Sequence, residues 1–229
     1  NFNPRSQLSS SLLSMLSEKA DLGLSAKSTA PVKYYILGGG SKHYIPNQAA
    51  IDEWVPTGEA IDTIDTAVLS KYSDGDTLST PLSRDPNGQN YILQSGIKHP
   101  IESRKASSWS DSPVNASIKQ VESMETGSAI GNTVYFELSG QKQYYAILGK
   151  KKYVANYNLV KNSWSLDQAI RIKASTLDRY NLQSAPLSPL VRIAGKVYSL
   201  SAQKKKELSQ YTIDKVEASK IIDLGNDMF

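Results

Sequence analysis

Short runs of strand-forming residues, a polar turn, a second strand-forming run, a capping residue and a brief helical stretch follow one another four times along this chain. The first passage reads Tyr35-Ile36-Leu37, a glycine turn, Lys42-His43-Tyr44-Ile45, then Asn47 and Trp54. The second reads Tyr91-Ile92-Leu93, Lys98-His99-Pro100-Ile101, then Ser103 and Trp109. The third reads Tyr145-Ala146-Ile147-Leu148, Lys151-Lys152-Tyr153-Val154, then Asn156 and Trp164. A degraded fourth reads Val191-Arg192-Ile193, Gly195-Lys196-Val197-Tyr198, then Ser201 and Leu208. From capping residue to Trp or Leu is 7, 6, 8 and 7 residues. Self-similarity at a period of about 45 to 56 residues signals a propeller or a stacked array, whose units bury their apolar faces against neighbours.

The pattern predicts strands over Val32–Leu37, Tyr91–Leu93, Val134–Leu138, Tyr144–Leu148 and Val191–Ile193. Turn residues separate them, among them Gly38-Gly39-Gly40, Asp85-Pro86-Asn87-Gly88, Ser139-Gly140, Gly149-Lys150 and Ala194-Gly195. Asn47, Ser103, Asn156 and Ser201 stand where helices begin, because a short polar side chain there accepts an otherwise orphaned backbone N–H. The helical runs allow two turns at most, too few to persist without packing. Trp54, Trp109, Trp164 and Leu208 are therefore predicted as equivalent core plugs. Each unit closes on Ile64…Leu69, Ile118…Met124, Ile172…Leu177 or Val216…Ile221, read as a short strand and one helical turn.

The expected fold is mainly β with short helices: α+β repeats in four tandem hairpin–helix–strand units, arranged as a propeller-like ring or a stacked array. The expected units are residues 31–80, 81–130, 131–187 and 188–229. Residues 1–30 read as a half repeat or the tail of a preceding unit, since Leu12-Leu13-Ser14 resembles Val68-Leu69-Ser70 ahead of a polar stretch. Such a half unit either belongs to a longer array or completes the last unit of a ring, where closure removes exposed edges.

Composition narrows the function classes. Tyr occurs 13 times against 3 Phe, which suits half-wet sheet faces where a ring packs and a hydroxyl stays solvated. The net charge is +4 and the mean hydropathy −0.39. That mild basic bias predicts no specific nucleic-acid partner. The absence of Cys excludes disulfide scaffolds, thiolate zinc sites and thiol nucleophiles, and leaves the compartment open. No run of 18 apolar residues occurs, so no transmembrane helix is expected in this stretch. The start, Asn1-Phe2-Asn3-Pro4, reads as a processed or truncated N-terminus.

Candidate chemistry is sparse. His43 and His99 occupy matching positions, held by Lys152 and Val197 in the later copies, so a polar hairpin position explains them better than a metal or acid–base pair. No Gly-x-Ser-x-Gly elbow is present. Asp52, Glu53, Glu59, Asp62 and Asp65 read as solvated helix and loop surface rather than a glycosidase pair. Asp74-Gly75-Asp76 lacks the ligand order of a calcium loop, and Gly38-Gly39-Gly40-Ser41 lacks the ending of a phosphate cradle. Lysines interleaved with aromatics at Tyr144, Tyr145, Lys151 and Tyr153 form the candidate ligand-binding patch, while edge lysines also serve to block stray strand pairing. No cofactor and no metal is expected.

Two stretches, Gly40-Ser41-Lys42-His43-Tyr44-Ile45-Pro46 and Tyr72-Ser73-Asp74-Gly75-Asp76-Thr77-Leu78, resemble the degenerate repeats of secreted, wall-associated bacterial proteins of actinobacterial type. The second and third copies keep the hairpin and lose most of the tail. The resemblance implies a non-enzymatic extracellular or cell-surface module for adhesion or attachment, its partner a cell-wall polymer, a glycan or another surface protein. The alternatives are a structural spacer beside a catalytic domain outside this chain, and a cell-wall-acting hydrolase.

Overall fold

Two-residue turns with both φ angles positive decide where the strands reverse. Gly39-Gly40 (57° and 77°), Ser95-Gly96 (54° and 73°) and Gly149-Lys150 (53° and 64°) adopt the mirror-image turn whose twist matches a hairpin. The computed structural model describes residues 24–115, 119–164, 169–201 and 204–224. Within them the chain is mainly β with short helices, in four separate mixed sheets, none closed on itself.

In the first sheet β1 (Leu24–Ser28), β2 (Tyr34–Gly38) and β3 (Ser41–Ile45) make an antiparallel meander; β4 (Asp62–Ile64) runs parallel to β1 and β5 (Ser73–Asp74) parallel to β3. In the second, β6 (Leu82–Arg84), β7 (Asn90–Gln94) and β8 (Ile97–Ile101) make the meander and β9 (Val114–Asn115) runs parallel to β6. Thr126 and Ile130 bridge in parallel to Lys98 and Ile101 of β8. In the third, β10 (Thr133–Leu138), β11 (Gln141–Leu148) and β12 (Lys151–Ala155) are followed by β13 (Ile170–Arg171) beside β10 and β14 (Asn181–Leu182) beside β12. In the fourth, β15 (Leu190–Ile193), β16 (Lys196–Ser201) and β17 (Lys204–Glu207) are joined by β18 (Ile221–Asp223) beside β15. The predicted hairpins of the first three passages are thus the second and third strands of three-stranded meanders. Residues 24–28, assigned from sequence to a half repeat, are the first strand of the first sheet. Residues 1–23 of that stretch, Ile118, Ala202 and the tail from Gly225 lie outside the described residues.

Short helices link third strands to returning strands. Helix α1 (Gln48–Trp54) is capped by Asn47, whose Oδ1 accepts from the Ala50 N–H at 3.0 Å. Helix α2 (Thr66–Leu69) starts at Asp65. In the second sheet α3 (Ser103–Ala106) begins after Glu102, one residue before the expected cap Ser103, and α4 (Lys119–Ser123) follows β9. In the third, α5 (Tyr157–Leu159) widens into a π turn over Val160–Trp164, and α6 (Ala174–Leu177) follows β13. Trp54 and Trp109 lie 7 residues after Asn47 and Glu102, and Trp164 lies 8 after Asn156. The wider turn absorbs the additional residue.

The fourth passage is framed differently from its sequence reading. Ala194-Gly195 joins β15 to β16, the first and second strands, so the motif read as a second-to-third hairpin sits one strand early. The helix α7 (Gln210–Ile213) is capped by Ser209, not Ser201. Leu208 is half-buried at the end of β17, its N–H donating to the Val197 carbonyl at 2.8 Å, and is not a counterpart of the tryptophans. Val216, half-buried and 7 residues after Ser209, holds that place; its N–H donates to the Ile213 carbonyl much as Trp109 donates to Ala106.

Each indole seals its own sheet against the next one. Trp54 packs with Ile36 and Ile45 of the first sheet and with Leu93, Val114, Val121 and Met124 of the second, and its Nε1 donates to the Thr80 carbonyl at 2.9 Å. Trp109 packs with Ile92 and Ile101 and with Val134, Ile147, Leu177 and Tyr180 of the third. Trp164 packs with Ala146 and Tyr153 and with Val191, Leu200 and Ile222 of the fourth. Ala26, Leu37, Ile64 and Leu69 form a smaller cluster on the other face of the first sheet.

Candidate functional site

The four residues proposed from sequence as a binding patch do not share a surface. Successive strand residues point to opposite faces. Tyr144 therefore packs toward the Trp164 cluster and Tyr145 toward the Trp109 cluster. Tyr153 is buried, and Lys151 alone is exposed. Tyr144 is further enclosed by Tyr135 and Tyr157, with ring centroids 5.9 and 5.7 Å away.

The Lys-His pairs of the third strands hold the tails that follow. Lys42 Nζ donates to the Tyr72 carbonyl at 2.9 Å, Lys98 Nζ to the Val121 and Glu122 carbonyls, and Lys152 Nζ to the Leu177 carbonyl at 2.9 Å. Each ammonium thus serves a short helix at its C-terminal end, where carbonyls lack partners. His43 Nδ1 bonds the Asp76 carbonyl at 3.1 Å and His99 Nδ1 bonds the Ser128 carbonyl at 2.9 Å. In strand register the counterparts of His43 and His99 are Tyr153 and Lys206, not Lys152 and Val197. Each imidazole is committed to its own tail.

Glycine lets the tail cross the ring. A Cβ on Gly127 would lie 2.5 Å from His99 Cε1, and one on Gly75 would lie 2.4 Å from His43 Cε1. Gly127→Ala is expected to lower stability by about 1–3 kcal/mol, the usual range for forced overpacking. Adding His99→Ala restores most of that loss, measured as a double-mutant cycle in urea unfolding; strictly additive effects would refute the contact.

An open cleft of about 300 Å³ lies beside Tyr91, lined by Asp85, Asn87, Lys98 and Glu122. The Tyr91 hydroxyl donates to Asp85 Oδ2 at 3.3 Å, and Lys98 Nζ lies 5.8 Å from the ring centroid. Burial and the neighbouring Asp85 carboxylate push the Tyr91 hydroxyl's pKa up. Asp85 Oδ1 accepts from the Asn87 and Gln89 N–H groups at 2.9 and 2.8 Å, closing the Asp85–Gly88 turn. An aromatic ring, a fixed carboxylate and an ammonium in one cleft suit a polyhydroxylated ligand bearing charge.

The largest departure from the sequence reading lies between α1 and α6. Glu53 was assigned to solvated surface, yet it is fully buried. Arg179 grips it with two bonds, Nε to Oε1 at 2.8 Å and Nη2 to Oε2 at 3.1 Å, and donates from Nη1 to the Ser79 carbonyl at 2.7 Å. Burial pushes the Glu53 carboxyl up to about 7, with Arg179 opposing. Beside it Asp52 accepts from Lys173 at 3.2 Å and from Ser175. Burial works against ionisation of Asp52, but bonds from Ser175, Gln48 and Lys173 outweigh it and hold the carboxyl below its usual range. The clasp joins residues 126 positions apart, and no local pattern announces it. Asp65, from the same acidic set, caps α2 through the Ala67 N–H at 2.7 Å. A second cleft, of about 340 Å³, opens next to the clasp between Gln94, Phe136, Arg171 and Lys173.

Among the described residues no group of three or more His, Cys, Asp or Glu is placed to hold a metal ion, and no helix is long and apolar enough to cross a membrane. No family model and no curated protein matches the chain. Among solved structures, it is similar to the EccB3 dimer from the ESX-3 core complex at 10% identity, over 90% of this chain and 95% of that one, with a TM-score of 0.21. The periplasmic assembly from the ESX-5 inner membrane complex is similar at 11% identity, over 87% of this chain and 77% of that one, with a TM-score of 0.21. The intact ESX-5 inner membrane complex is similar at 10% identity, over 95% of this chain and 73% of that one, again with a TM-score of 0.21. Overlays at this score establish neither fold nor function.

Proposed function

We propose that the four sheets are tandem copies of one unit, and that the chain is a non-enzymatic extracellular or cell-surface module that holds an anionic cell-wall polymer or glycan. The observation that carries the reading is a lysine ammonium set over a tyrosine ring on every sheet. Lys33 lies 5.8 Å from the Tyr44 centroid, Lys98 5.8 Å from Tyr91, Lys142 4.5 Å from Tyr135 and Lys205 5.3 Å from Tyr198. A tyrosine face stacks on a sugar ring while an adjacent ammonium meets carboxylate or phosphate. The groups that acid–base chemistry would use are engaged elsewhere: both histidines hold backbone carbonyls, and Asp85 and Glu53 hold fixed partners. The buried clasp between α1 and α6 favours a second reading, a rigid spacer beside a catalytic domain outside this chain.

The test is co-sedimentation of the purified chain with isolated wall polymer. Binding is expected to weaken as salt rises. Tyr91→Ala combined with Lys142→Ala should weaken it at least about tenfold, equivalent to about 1.4 kcal/mol. Unchanged binding in that variant removes the tyrosine–lysine reading. A chain that sediments with no polymer at low salt supports the spacer instead.

A further inference from the structure

We infer that the cleft of about 340 Å³ beside the clasp is a binding site for a sugar that carries a carboxylate or a phosphate. On the polymer-binding reading, on which this rests, the cleft is where the charge of the polymer is met.

Three successive passages build the walls. Thr57 follows α1, Gln94 and Ser95 end β7 and open its turn, and Phe136, Arg171 and Lys173 come from β10, β13 and the approach to α6. Main-chain bonds fix the first two walls against each other: the Ser95 and Gly96 N–H groups donate to the Asp52 and Glu53 carbonyls at 2.9 and 3.1 Å. Glycine permits this approach, since a Cβ on Gly96 would lie 2.5 Å from Pro56 Cγ. The grip of Arg179 on Glu53 and of Lys173 on Asp52 adds the third wall. Walls held in this way need little ordering when a ligand enters, so more of the contact energy appears as affinity.

Two cations and, among the described residues, no carboxylate line the cleft. The Arg171 side chain is 65% exposed and lies 3.8 Å from Glu137, so that ion pair spends none of its N–H donors on a hydrogen bond. Lys173 uses one of its three donors on Asp52 at 3.2 Å. Asp52 also accepts from Gln48 at 3.1 Å and from Ser175, so the ammonium can turn to a ligand without stranding that carboxylate. A guanidinium meets a carboxylate or a phosphate through paired bonds.

The remaining lining suits a sugar ring. Phe136 is half-buried and supplies an apolar wall, while Thr57 and Ser95 supply hydroxyls. Gln94 is 5% exposed, and its Nε2 donates to the Asp52 carbonyl and to Ser95 Oγ at 3.3 and 3.2 Å. Its Oε1 has no partner among the described residues. A buried acceptor left without a bond is costly, and a ligand hydroxyl is the kind of donor it lacks. A few placed polar groups beside an apolar wall are the usual make-up of a small-ligand cleft. The volume falls at the low end of the range for such clefts, about 300–1,000 Å³, which suits one or two sugar units rather than a long polymer segment.

Titration calorimetry on the whole chain with glucuronic acid, glucose 6-phosphate and glucose tests the site. At least one charged sugar should bind at least about tenfold more tightly than glucose, and the tighter of the two tells carboxylate from phosphate. Arg171→Gln should weaken that binding at least about tenfold, the scale of a lost charge-assisted hydrogen bond. Thr57→Trp, which fills the mouth of the cleft from an exposed position, should abolish it. Arg104→Gln, an exposed cation outside the cleft, should leave it unchanged. Urea midpoints confirm that each variant is folded. Binding of neither charged sugar, equal binding of glucose, or binding unchanged in both Arg171→Gln and Thr57→Trp would overturn the assignment. Wall polymer that sediments equally with the native chain and with Thr57→Trp would also overturn it and leave the attachment reading standing. A charged sugar that binds through Arg171 while no polymer sediments would keep the cleft and remove the attachment.

Discussion

Trp109→Ala is expected to lower the stability of the folded chain by about 3–5 kcal/mol, the range for removing a large buried aromatic side chain. The indole is 3% exposed and joins two sheets, with Ile92 and Ile101 on one side and Val134, Ile147 and Leu177 on the other. Its loss opens a cavity bounded by two separately hydrogen-bonded sheets, which cannot both collapse into it without breaking strand register. The Tyr180 ring also loses its edge-on contact with the indole, 5.7 Å between centroids, while its hydroxyl keeps the main-chain carbonyl of residue 109. Urea unfolding followed by tyrosine fluorescence and circular dichroism measures the effect. Leu208→Ala serves as the contrast. The side chain is half-buried and belongs to none of the apolar clusters, so its removal should cost well under half as much. Equal losses in the two variants would restore the sequence-based equivalence of Leu208 and the tryptophans.

Glu53→Ala is expected to cost a similar amount, about 3–5 kcal/mol at a pH where the carboxylate is ionised, because it strands Arg179 in a mostly buried site. The pH dependence separates this pair from a surface bridge. Burial raises the folded-state pKa of Glu53 to about 7, from an ordinary 4.5. The folded chain therefore holds that proton more tightly than the unfolded chain. Its contribution to stability is fully present below the ordinary value and is lost as pH rises through about 7. Asp52 runs the other way: its lowered pKa contributes stability above the ordinary carboxylate value, lost as pH falls through the lowered one. Glu53→Gln keeps an acceptor for Arg179 and has no proton to release. Relative to this variant, the native chain should lose stability between about pH 5 and about pH 8. Parallel stability profiles for the two proteins would show that Glu53 is not buried as described.

What the sequence made legible follows from local physics. Strand alternation, paired turn residues and the spacing from cap to Trp54, Trp109 and Trp164 are short-range signals, and they located the second and third strands and the plugs. Of the first strands, β10 and β15 are legible as Val134–Leu138 and Val191–Ile193, whereas β1 and β6 are not: Ser25, Ala26 and Lys27 carry little strand propensity, and β1 is held by pairing with β2 and β4. The fourth passage was misframed because Ala194-Gly195 and Gly39-Gly40 have the same turn chemistry, and a turn does not say which pair of strands it joins. Glu53 looked solvent-exposed because its partner is reached only through the packing of α6 on α1. The Tyr144–Tyr153 patch failed on strand parity: Tyr144 and Tyr145 are neighbours in sequence and on opposite faces in the sheet.

The central claim is that each tryptophan binds its own sheet to the following one. Native-state hydrogen exchange on Trp54→Ala, Trp109→Ala and Trp164→Ala, resolved by peptide, tests it most directly. The account predicts that protection falls in two successive sheets for each variant: the first and second, the second and third, then the third and fourth. Protection lost only in the sheet that carries the substituted residue, with the next sheet untouched, would contradict it.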